Sequence, residues 1–152
     1  MNLTEKEKSL LKDLQSQEQL CVTKYDKYVQ CACSTELKSL LQSIADTERS
    51  HLKTVNDMLN GVVDVAPQTI GNSNNCHCGC AGYADEQSRG NDAYLCQDLL
   101  STEKHASALY DTCVFEFADP EARRTLNHIQ AEEQQHGEQL FAYMKSNGMY
   151  NA

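Results

Sequence analysis

The chain has 152 residues, with 22 acidic against 13 basic side chains and a net charge of −9. A chain of this length can bury roughly two-thirds of its unfolded surface, so residues 1–152 are expected to form one domain without staples. The acidic balance argues against nucleic acid as a partner, and the absence of any run of about 18 apolar residues argues against a membrane span.

The start, MNLTEKEKSLL, is charged where a secretory signal would be apolar, which makes synthesis in the cytosol the expectation. A first helix is predicted over about 4–31. Thr4 and Glu7 stand in capping-box spacing, and Leu11, Leu14, Glu18, Cys21, Tyr25 and Tyr28 share one face. After a break around Cys31 to Ser34, a second helix is predicted over 34–60. Its stripe is Leu37, Leu41, Ile44, Glu48, His51, Val55 and Met58, and Gly61 suits a left-handed cap.

Residues 61–90 hold Pro67, several glycines and the polar run GNSNNCHCGC, so they read as a linker rather than a core helix. A third helix is predicted from Asn91 to Phe117, with Leu99, Glu103, Ala106, Tyr110, Cys113 and Phe117 on one face. The fourth, 120–146, opens at Asp119-Pro120, a cap followed by proline at the first helical position, and presents Ala122, Leu126, Ile129, Glu133, His136, Leu140 and Tyr143 before Gly148. The fold class is all-α: a four-helix bundle with one long crossover between helices 2 and 3.

An internal repeat with an offset of 85 residues underlies this pattern. It pairs Glu18 with Glu103, Tyr25 with Tyr110, Leu41 with Leu126, Ile44 with Ile129, Glu48 with Glu133, and His51 with His136. Each of the four glutamates lies about 14 residues, or roughly 20 Å, from its own interhelical turn, so all four meet near the middle of the bundle.

Those glutamates occupy positions where the stripes call for leucine. A carboxylate buried without a partner costs several kcal/mol, and no Lys or Arg shares the stripes. Metal cations are the economical way to neutralise them. His51 and His136 each follow a stripe glutamate by three residues and so share its face. The metal set is therefore Glu18, Glu48, His51, Glu103, Glu133 and His136, an oxygen and nitrogen set suited to two iron ions or, alternatively, two manganese ions. Glu48 and Glu133 are expected to bridge the ions and Glu18 and Glu103 to be terminal. Tyr25 and Tyr110 are placed to hydrogen-bond ligand carboxylates.

His105 and His128 read as surface or packing residues, and Cys21, Cys96 and Cys113 as small buried hydrophobes. Cys76, His77, Cys78 and Cys80, in CHCGC, are suited to thiol cross-linking or to holding a soft metal.

One glutamate from each of two helices, with Glu-x-x-His from each of the other two, resembles the ferritin-like superfamily, and the tyrosine seven residues after Glu18 and Glu103 resembles rubrerythrin. Ala106 stands where rubrerythrins usually carry a further glutamate, so the symmetric site is closer in pattern to bacterioferritin or manganese catalase. The stretch STEKHASALYDTCVFEFADPEARRTLNHIQAEEQQHGEQ and the ending YMKSNGMYN are similar to the coat F family of spore coat proteins, over roughly residues 92–150 and more loosely over 3–60. That resemblance implies synthesis in the mother cell, incorporation into the spore coat, and a homo-oligomer or other coat proteins as partners. Two functions are expected to compete. One is a di-metal oxidoreductase reacting with peroxide or dioxygen and served by an external electron donor. The other is a structural coat component whose metal stabilises the fold and whose cysteines cross-link chains.

Overall fold

The computed structural model describes residues 2–63 and 82–150, which form four helices and no strand: α1 (Glu5–Cys31), α2 (Thr35–Leu59), α3 (Glu86–Glu116) and α4 (Pro120–Ser146). None of these helices is long and apolar enough to cross a membrane.

Local chemistry sets their ends. Thr4 and Glu7 form a complete capping box at α1, Ser34 caps α2, and Asp119 accepts from the N–H groups of Glu121 and Ala122 ahead of Pro120. Gly61 and Gly148 follow α2 and α4 with φ of 80° and 63°, a conformation that costs a side chain with a Cβ about 1 kcal/mol or more.

Side-chain pairs fix the helix directions. Lys6 with Glu116, and Lys24 with Asp98 at 2.8 Å, make α1 antiparallel to α3. Gln15 with Asn56, and Arg49 with Asp26, make it antiparallel to α2. Gln130 donates to the Ser107 carbonyl and Arg89 to the Gly148 carbonyl, so α3 and α4 are antiparallel as well. The order is up, down, down, up. It follows that α2 and α3 run parallel, so residues 60–85 connect opposite ends of the bundle.

Two apolar clusters fill the interior. One gathers Tyr25, Leu37, Leu41, Ile44, Leu99, Leu140 and Tyr143 near the turn between α1 and α2. The other gathers Leu11, Leu14, Val55, Met58, Tyr110, Phe117 and Leu126 at the far end. The buried glutamates and histidines sit between them as a polar waist.

Three expectations need correction or restriction. The third helix begins at Glu86 rather than near Asn91. Asp85 caps it by accepting from the Ser88 N–H at 2.7 Å, and Arg89 ties its first turn to Glu86 and to the end of α4. Gly90 is exposed inside that helix and a Cβ there would meet nothing, so the glycine costs only about 1 kcal/mol against alanine and does not break it. Tyr28 is half-buried at the edge of its stripe, its hydroxyl donating to Asp98 at 2.7 Å. Cys76, His77, Cys78 and Cys80 lie outside the described residues.

Candidate metal centre

All six stripe residues point into the waist. Glu18, Glu48 and Glu133 are fully buried, and His51, Glu103 and His136 are at most 4% exposed. Their placement follows from helical spacing: Glu48 with His51, and Glu133 with His136, are one turn apart and project from one face of α2 and of α4. Glu18 and Glu103 enter from α1 and α3 at the same level.

The six side chains make two overlapping groups. Glu18, Glu48, His51 and Glu133 bring one donor atom each within 4.8 Å of one another, and so do Glu48, Glu103, Glu133 and His136. Glu48 and Glu133 belong to both. The histidines cross between helices: His51 Nδ1 lies 2.9 Å from Glu133 Oε1, and His136 Nδ1 lies 2.8 Å from Glu48 Oε1 and 3.4 Å from Glu103 Oε2. The halves of the chain thus contribute equivalent groups related by the 85-residue offset.

The outer contacts are equally regular. Tyr25 donates its hydroxyl hydrogen bond to Glu103 Oε1, and Tyr110 donates to Glu18 Oε1. Each tyrosine therefore serves the glutamate of the opposite half, because seven residues carry it two turns along one helix and into register with its antiparallel neighbour. Burial, and then the adjacent carboxylates, push both phenols up, so they act as donors.

Within the waist, eight buried polar atoms have no hydrogen-bond partner among the described residues: Glu18 Oε2, both oxygens of Glu48 and of Glu133, Glu103 Oε2, His51 Nδ1 and His136 Nδ1. The close histidine and carboxylate approaches are ion-pair distances without hydrogen-bond alignment. Buried polar groups are paired in nearly all proteins. The atoms left over here are those that point at one another, as ligand atoms around a cation do. Two divalent cations would balance four carboxylates, and oxygen with imidazole donors fits iron or manganese.

Protonation shows the same tension. Burial pushes Glu18 up to about 8, Glu48 adding to the rise while His51 opposes it. Burial and the repulsion of Glu48 and Glu103 lift Glu133 well above the carboxylate range. Burial opposes charge on His136, but Glu103 and Glu48 raise it to about 10; burial on His51 is likewise outweighed by Glu132, Glu18 and Glu48. For Glu103 the effect of burial is overcome by the neighbouring His136, then by Glu133 and by the hydrogen bond from Tyr25, and it is held low. Without cations, these shifts favour the proton-bound forms of Glu18, Glu133 and the two imidazoles.

Sequence reasoning missed Glu132. Its Oε2 lies 2.9 Å from His51 Nε2, and 3.5 Å from the Nε2 of His128, which is half-buried. Burial raises Glu132, but His51 outweighs it and holds the carboxylate low. On a helix rich in glutamate it carries no signal of its own. His105 is exposed, and Cys21, Cys96 and Cys113 are buried, their thiols pushed up by burial. Among the described residues, a groove and a cleft approach the centre. The groove, of about 330 Å³, lies between α3 and α4 and is lined by Glu103, Glu133 and Gly137 among others; the cleft is narrower and polar, lies between α2 and α4 and includes His136.

No curated protein and no solved structure matches the chain. Residues 91–152, which take in most of α3 and all of α4, match the family model described as the Coat F domain, so the second half of the chain is similar to that family.

Proposed function

We propose that the chain is a structural spore coat component, a ferritin-like bundle braced by two divalent cations. The observation that carries the metal reading is the set of eight unpartnered polar atoms on six buried side chains. Glu18 and His51 would hold one ion, Glu103 and His136 the other, and Glu48 and Glu133 both. Tyr25 and Tyr110 hold the terminal glutamates in place. The Coat F match supports the association with the spore coat, following synthesis in the mother cell, where other coat proteins or further copies of the chain would be partners. Cys31 and Cys33 are free and exposed at the turn between α1 and α2. With the CHCGC run they would supply thiols for cross-links.

A second reading gives the same centre a redox role, and the groove that reaches Glu103 and Glu133 favours it, since a purely structural brace needs no access. Two iron or manganese ions would supply one-electron chemistry toward dioxygen or peroxide, with an external electron donor if the ions are iron. The protein's own part would be to position the ions, hold the terminal carboxylates through the tyrosines and keep the waist dry.

The test is to load the purified protein with iron or manganese without oxygen, then record thermal unfolding and peroxide consumption. The structural reading expects a higher Tm on loading and no turnover. Turnover with little change in Tm would favour the redox reading instead, and no change in either would refute both.

A further inference from the structure

The 85-residue symmetry fails behind the two imidazoles. Glu132 stands behind His51, with Oε2 2.9 Å from Nε2. The residue 85 positions earlier is Thr47, which lines one cleft with His136. Threonine is too short to take the place of the carboxylate. The space it leaves is a cleft of about 80 Å³ lined by Thr47, Ser43, Gln135 and Gln139 with His136 and Glu132. Among the described residues, His136 Nε2 has no hydrogen-bond partner; the ion-pair contacts of that ring are made by Nδ1.

A carboxylate behind a ligating imidazole fixes the ring's orientation, puts the proton of the neutral ring on the far nitrogen and makes the near nitrogen a better donor. His51 has this support and His136 does not. The geometry points to two unequal cation positions: a tight one at Glu18, Glu48, His51 and Glu133, and a weaker, exchangeable one at Glu48, Glu103, Glu133 and His136, with Glu132 as the positioning residue that separates them. The cleft gives the weaker position a path to solvent. This inference rests on the metal reading proposed above and adds which ion leaves first.

Calorimetric titration of the metal-free protein with cobalt(II), which has a visible spectrum and is not oxidised by air under these conditions, tests it. Two steps are expected, with Kd values about 10- to 100-fold apart, the range typical for loss of such a support. Thr47→Glu supplies the missing carboxylate, so it is expected to tighten the second step about 10-fold and leave the first unchanged. Glu132→Ala is expected to weaken the first step by a similar factor. Wild-type steps closer than about threefold, or a Thr47→Glu variant with the wild-type ratio, would overturn the inference while leaving the metal centre standing. A wild-type protein that binds no cobalt would refute the centre itself. Should Glu132→Ala fail to fold, Thr47→Glu decides alone.

Discussion

Tyr25 of α1 donates its hydroxyl hydrogen bond to Glu103 of α3, and the bond is returned from Tyr110 of α3 to Glu18 of α1. Each half of the chain thereby holds a buried carboxylate of the other. Tyr25→Phe removes the donor and leaves Glu103 Oε1 unpaired in a dry site, for an expected loss of about 1–3 kcal/mol. Urea unfolding of the metal-free protein measures it, and an unchanged midpoint would mean that the bond contributes nothing.

Asp92 makes a comparable clasp at the bundle end. It is fully buried and accepts from the N–H groups of Cys33 and Ser34, at 2.8 and 2.9 Å, and from the Tyr83 hydroxyl at 3.0 Å. Glu7, 85 positions earlier, reaches the other half's turn through the Ala118 N–H at 3.2 Å. Asp92→Ala is expected to cost about 3 kcal/mol, and Glu7→Ala nearer 1 kcal/mol because its remaining bonds cap its own helix. Equal losses in urea unfolding would contradict this ranking.

Glu133→Leu separates fold from function. Leucine removes the repulsion with Glu48 and Glu103 but also takes away the carboxylate 2.9 Å from His51 Nδ1, so the two effects oppose each other in the metal-free variant. The variant should lose the rise in Tm on adding cations. A variant that cations still stabilise as strongly as the native protein would show that Glu133 is not a shared ligand.

Stability should depend on pH in opposite senses with and without metal. Glu18, Glu133, His51 and His136 have raised pKa values when folded. Their contribution is complete below the unfolded values and is lost as pH rises through the folded ones, about 8 for Glu18 and about 10 for His136. Glu103 and Glu132 are held low and act the other way, but only as pH falls below the ordinary carboxylate range. The metal-free protein should therefore weaken from about pH 6 to about pH 8. Cations displace those protons, so the stabilisation by manganese should grow over the same interval. Thermal unfolding at both pH values checks the sign, and a metal-free protein that gains stability with rising pH would contradict it.

The level of the waist was legible in the residues because helical spacing is strict. Glutamates at leucine positions, each about 14 residues from its turn, meet wherever the turns are short. The helix caps were equally legible at Thr4 and Asp119. The start of α3 was not, since Gly90 reads as a breaker and the compensating tie from Arg89 to the end of α4 joins residues far apart in the chain. The crosswise pairing of the tyrosines was half visible: seven residues signal a neighbouring carboxylate, but only the antiparallel packing of α1 on α3 says whose. Glu132 and Asp92 left no mark because acidic residues off the stripes look like solvated surface.

The most direct test is elemental analysis of the protein purified from its native host, beside the Glu48→Ala and Glu133→Ala variants. The account predicts two equivalents of iron or manganese per chain, reduced by at least half in either variant. Native protein without a transition metal, or variants that retain two equivalents, would contradict it.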